Sequence, residues 1–69
     1  MRLSTRNQLA GTVVDITTGE AMAVVKVELA GGQILTSSIT RESAEDLGLQ
    51  VGSQVVALVK STEVALGIE

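Results

Sequence analysis

Between Met22 and Leu29 the chain alternates strictly: Ala23, Val25, Val27 and Leu29 fall on one side, Lys26 and Glu28 on the other. A period of two sends successive side chains to opposite faces of a pleated backbone, so this segment reads as a half-buried strand. Gly31-Gly32 permits the positive φ angles of a tight hairpin, and residues 33–39 are expected to return as its partner. Upstream, residues 9–16 are rich in β-branched side chains and stop at the turn-prone Thr17-Thr18-Gly19-Glu20, which predicts another strand. In residues 54–60, Val55, Ala57 and Val59 alternate with Val56 and Leu58. Both faces of that strand are apolar, as in a strand covered on both sides. After a break at Ser61-Thr62-Glu63, residues 64–68 are expected to supply a last short strand.

The stretch 40–47 follows another rule. Thr40 is a residue able to cap, acidic Glu42, Glu45 and Asp46 follow, and Gly48 stands where a left-handed C-terminal cap belongs. A short helix is predicted, with Ala44, Leu47 and Leu49 as an apolar face large enough to plug one end of a barrel. Val51-Gly52-Ser53 then turns the chain into the 54–60 strand. Five strands and one small helix make an all-β protein, and the count fits a small OB-like five-stranded β-barrel.

Size changes how that barrel must be stabilised. Sixty-nine residues allow one domain, residues 1–69, and there is neither Cys nor His to staple it with a disulfide or a soft-ligand metal. The hydrophobic residues, 45% of the chain, include no aromatic anchor. Many small apolar side chains on so short a chain predict burial by association, hence a homo-oligomer. The opening residues carry Arg2 and Arg6 among polar groups, unlike a secretory leader. No apolar run approaches the ~20 residues that span a bilayer. A cytoplasmic protein without a membrane partner is expected. The net charge is −3, the five cations (Arg2, Arg6, Lys26, Arg41, Lys60) are scattered, and no ring is present for stacking. Nucleic acid is therefore not the expected partner.

Enzyme chemistry finds little support, because nucleophilic catalysis needs a base beside the nucleophile and only carboxylates are on offer. Glu42, Glu45 and Asp46 suit solvent and the N-terminal end of a helix dipole. No loop pattern for a hard cation occurs, so no free metal ion and no organic cofactor are expected. What stands out are hydrogen-bond donors: Ser4, Arg6 and Asn7 before the first strand, Thr40 and Ser43 at the helix start, Lys60 and Ser61 at a strand end. Two are cationic, and the set suits a tetrahedral dianion leaving water. Helix-start amides near Thr40 would add donors, although Glu42 in that turn would repel a dianion unless it faces solvent. Each residue also has an ordinary reading. Thr40 and Ser43 are cap residues, Arg6 and Lys60 are solvated surface charges, and Ser4, Asn7 and Ser61 are turn residues. These residues alone do not name an anion.

Three runs add a resemblance: Ser4-Thr5-Arg6-Asn7-Gln8-Leu9, Ile39-Thr40-Arg41-Glu42-Ser43, and Val56-Ala57-Leu58-Val59-Lys60-Ser61-Thr62-Glu63. Together, in this order and spacing, they resemble the molbindin family of molybdate-binding proteins over nearly the whole chain. Ala44, Gly48-Leu49 and Val51-Gly52 are similar to that family's passage from helix to strand. The resemblance implies an OB-like barrel assembled as a hexamer, a trimer of dimers, holding molybdate or tungstate between subunits. By position it implies that Ser4, Arg6, Lys60 and Ser61 grip the anion, that Thr40 and Ser43 donate further hydrogen bonds, and that main-chain N–H groups near Met22 and Ala23 contribute. A second class of site near the three-fold axis receives no residues from this sequence. The implied function is storage and buffering of the oxyanion by reversible capture. The competing expectation is a structural or regulatory OB-like oligomerisation module with no ligand of its own.

Overall fold

The computed structural model describes residues 2–69. Its elements run β1 (Asn7–Thr18), β2 (Met22–Leu29), β3 (Ile34–Thr40), α1 (Arg41–Asp46), β4 (Gln54–Val59) and a single 3₁₀ turn (Ser61–Glu63). The strands form one antiparallel sheet in the order β3-β2-β1-β4. The period-two face of β2 points inward as expected: Ala23, Val25 and Val27 are buried, and Val13 of β1 joins them at zero exposure. Ile16, Leu29, Leu35, Ile39, Leu49 and Val55 pack around this centre.

The sheet curls because β1 serves two partners at different places along its length. Its last part, Gly11 to Thr18, pairs with β2, while Asn7 to Thr12 pairs with β4, so both partners flank it only around Gly11 and Thr12. A bulge between Val13 and Asp15 adds an unpaired residue and sharpens the local bend. Gly11 lies at the crossing, opposite both Leu29 and Val55. A Cβ there would stand 2.5 Å from Val27 Cγ1 and 2.7 Å from the Glu28 carbonyl oxygen. Only glycine permits that approach.

The helix forms as its caps predict. The Thr40 side chain accepts a hydrogen bond from the Ser43 amide at 3.0 Å. At the other end Gly48 takes φ +63°, and the amides of Gly48 and Leu49 return to the carbonyls of Glu45 and Ala44. Ala44 is the helix's one buried residue, and the Arg41 amide bonds the Ala21 carbonyl at 2.9 Å, which fastens the helix to the end of the sheet. No helix among the described residues is long and apolar enough to cross a membrane.

The expected strands at 9–16, 33–39 and 54–60 are found with shifted ends, β1 being longest at twelve residues. The expected fifth strand does not pair. Residues 64–68 are coil, beginning extended at Val64 (φ −93°, ψ 114°) and making no ladder with the sheet. The physical reason is the 3₁₀ turn, closed by bonds from the Glu63 amide to the Lys60 carbonyl and from the Val64 amide to the Ser61 carbonyl, which carries the chain off its own sheet. The result is a half-barrel with β3 and β4 as free edges.

Two expected outcomes check this account. Gly11→Ala forces the β1–β2 contact apart and costs about 1–3 kcal/mol of unfolding free energy in a urea titration. Thr40→Ala removes the helix cap and costs about 1 kcal/mol in the same measurement, whereas Thr40→Ser stays near the parent value.

Candidate functional site

The residues just before β1 and just after β4 meet because those strands pair, Asn7 opposite Val59. The half-buried Asn7 side-chain amide reinforces the junction by donating to the Val59 carbonyl at 3.0 Å. There Ser4, Thr5, Arg6, Lys60, Ser61 and Thr62 line one open cleft of about 310 Å³. Four of the sequence-predicted residues, Ser4, Arg6, Lys60 and Ser61, are thus brought together. All four are exposed. The only ion pair among the described residues joins Arg41 to Glu45 at 2.8 Å, so neither Arg6 nor Lys60 has a carboxylate partner. Two unpaired cations among four hydroxyl side chains make a donor-rich, locally positive surface on a chain of net charge −3.

Thr5 and Thr62 were not singled out by sequence reasoning. Their signal was present, since each is a hydroxyl residue inside a run already read as polar. Asn7 turns out to hold the cleft together and does not line it.

Thr40 and Ser43 form a second locus. The Thr40 hydroxyl donates to Ser43 Oγ at 2.8 Å while accepting from the Ser43 amide, so the cap role is real and one donor proton is already engaged within the pair. Ser43 Oγ keeps its own proton to offer. Met22 lies opposite Thr40 in the β2–β3 ladder and Ala23 opposite Ile39. The Ala23 side chain is fully buried and Met22 is 45% exposed. Arg41, next in sequence, is committed to Glu45 and reaches the Gly19 carbonyl at 3.5 Å. Glu42 is exposed.

The two loci do not meet within one chain. The cleft sits at the Asn7 end of β1, whereas Ala23 pairs with Thr18 at its other end. They lie at opposite ends of a twelve-residue strand, and the cleft that holds Ser4, Arg6, Lys60 and Ser61 includes no residue of the helix-start locus. One tetrahedral oxyanion of one chain therefore cannot touch both.

The larger concavity of the molecule, about 470 Å³, runs along the inner face between β3 and β4. Its walls are apolar apart from Thr36 and Ser37 and carry no charged residue. A dianion would lose its hydration there with too few donors in return, so this groove is no anion site.

Comparison with known proteins agrees with the architecture. The TOBE domain model matches residues 3–66. The molybdenum-pterin-binding protein 2 of Clostridium pasteurianum is 46% identical over 66 residues, covering 96% of this chain and 97% of that protein. A molybdate-binding protein from Sporomusa ovata, solved at high resolution, superposes with a TM-score of 0.93 at 40% identity, covering 99% of this chain and all of the other. The cytoplasmic molybdate-binding protein ModG, in a form with molybdate bound, superposes with a TM-score of 0.96 at 43% identity, covering all of this chain and 49% of ModG. The half-barrel with its capped helix, the donor cleft at the β1–β4 junction and these likenesses along the full chain lead to one assignment: the chain belongs to the TOBE-domain molbindin family.

Proposed function

We propose that this protein captures molybdate or tungstate as the free dianion, at sites shared between subunits of a homo-oligomer, and so stores and buffers the oxyanion in the cytoplasm. The observation that carries the reading is the division of its donors into two loci at opposite ends of β1. Ser4, Arg6, Lys60 and Ser61 supply charge and hydroxyls at one end. Thr40, Ser43 and the backbone near Met22 and Ala23 supply neutral donors at the other. A site that uses both sets takes one from each of two copies, which suits a trimer of dimers. The names of the relatives, a molybdenum-pterin-binding protein and two molybdate-binding proteins, support the choice of anion.

The mechanism is recognition without bond making. Arg6 and Lys60 offset the dianion's charge, and the hydroxyl and amide donors replace its water. With few cations and many neutral donors, binding is reversible, as a reservoir requires. Molybdate and tungstate, nearly equal in size, fit one donor spacing. The smaller sulfate spans it poorly, so geometry supplies the discrimination.

Calorimetric titration of the purified protein with molybdate in a fixed excess of sulfate tests the reading. Saturable binding that sulfate does not displace is expected. Heat that vanishes under sulfate contradicts the selectivity and leaves a general oxyanion site, and no heat at all leaves a structural oligomer without a ligand. Arg6→Ala and Lys60→Ala each remove a charge-assisted donor and are expected to weaken molybdate by roughly ten- to a hundredfold without changing the mass of the assembly. Normal affinity in both variants contradicts the proposal.

A further inference from the structure

The donor cleft is the β1–β4 ladder carried past its own end. Within that ladder Asn7 pairs with Val59, Gln8 with Leu58 and Leu9 with Ala57. The same register continued outward would set Arg6 opposite Lys60, Thr5 opposite Ser61 and Ser4 opposite Thr62, and these are the six residues that line the cleft. None of the three pairs forms. β1 begins at Asn7, β4 stops at Val59, and the chain enters its 3₁₀ turn at Ser61. The cleft is therefore a splayed pair of strand ends, and its shape depends on where the splaying stops.

The first pair beyond the ladder is cationic on both sides. Like charges facing each other across antiparallel strands repel, and among the described residues neither Arg6 nor Lys60 has a carboxylate partner. Both are exposed, so the repulsion is moderate and is screened by salt. It bears on the Asn7–Val59 pair, which has no further ladder bond outside it. That pair carries one bond the ladder does not supply: the half-buried Asn7 side chain donates from Nδ2 to the Val59 carbonyl oxygen at 3.0 Å. Among the described residues the other side-chain bond between the two strands, Gln54 to Thr12 at 3.1 Å, lies at the far end of the ladder. One such hydrogen bond and one exposed like-charge pair are of similar net strength, so a single amide decides how the end rests.

We infer that Asn7 is a positioning residue for the anion site: its bond to the Val59 carbonyl holds the strand ends together against the repulsion of Arg6 and Lys60, so both cations stand at one cleft before an anion arrives. Asn7 does not line the cleft and acts only through its neighbours in the chain. A bound dianion offsets the repulsion by itself, so the clamp matters most in the empty protein. Gathering the two charges in advance leaves less ordering to be done on binding, which strengthens capture without a new contact. This consequence rests on the proposed anion site, whereas the clamp rests on the strand register alone.

Amide hydrogen exchange on the anion-free, full-length protein tests the clamp. Asn7→Ala is expected to lower protection of the Gln8 and Val59 amides about three- to tenfold. Adding Lys60→Met to that variant, or about 1 M potassium chloride, is expected to restore most of it. An equal loss with and without the Lys60 charge makes Asn7 a structural bond only and overturns the inference. Lys60→Met alone, which leaves Asn7 in place, is expected to raise protection of the same amides; unchanged or lower protection overturns the opposing repulsion and the inference with it. Calorimetric titration with molybdate reads the consequence. Asn7→Ala is expected to weaken binding about three- to tenfold at unchanged assembly mass, and parental affinity overturns the positioning role. A parent chain that binds no molybdate overturns the anion reading instead, and the exchange result still decides the clamp.

Discussion

A sheet that curls without closing sets the terms for everything else in this protein. Four strands bend around Val13, Val25 and Val27, yet β3 and β4 never meet. Five hydrophobic residues are buried, against twelve large apolar side chains left exposed among the described residues. Without Cys, His or an aromatic anchor, so small a core is a marginal source of stability for a lone chain. Association is the remaining way to remove apolar surface and free strand edges from water at once. The proposed oligomer is in this sense an answer to the fold's incompleteness, and the proposed sharing of sites follows from it.

The electrostatics obey the same logic. A chain of net charge −3 is an unpromising host for a dianion, and a single copy offers only Arg6 and Lys60 as unpaired cations in a suitable cleft. Arg41 is engaged with Glu45, and Lys26 donates to the Thr36 hydroxyl at 2.9 Å. The proposed capture then depends on where donors are placed more than on how much charge is present. The β1–β4 register places one set of donors and the β2–β3 register the other, so strand pairing deep in the fold sets the geometry of both loci.

Much of this was legible in the sequence because it rests on local rules. Period two in Met22–Leu29, the capping Thr40 and the left-handed Gly48 each act within a few residues, and each is found as predicted. Residues 64–68 show where such rules stop. Their alternation describes a strand correctly in composition, but pairing depends on a partner edge, and the 3₁₀ turn before them denies them their own. The bulge between Val13 and Asp15 and the tight approach at Gly11 were equally hidden, since both arise from β1 being shared by two neighbours. For the site, residue types flagged Ser4, Arg6, Lys60 and Ser61 individually. The family resemblance grouped them around one anion, the Asn7–Val59 register shows how they come to line one cleft, and the length of β1 shows that Thr40 and Ser43 belong to another place.

The central claim, that one oxyanion is held by two loci from two chains, is tested most directly by complementation. One variant carries Arg6→Ala and Lys60→Ala, the other Thr40→Ala and Ser43→Ala, and the two are mixed, co-refolded and titrated with molybdate. Shared sites predict that each variant alone binds weakly while the mixture regains a fraction of full-affinity sites, because some pairings unite an intact cleft with an intact helix-start locus. A mixture that binds no better than the sum of its two components would contradict the account.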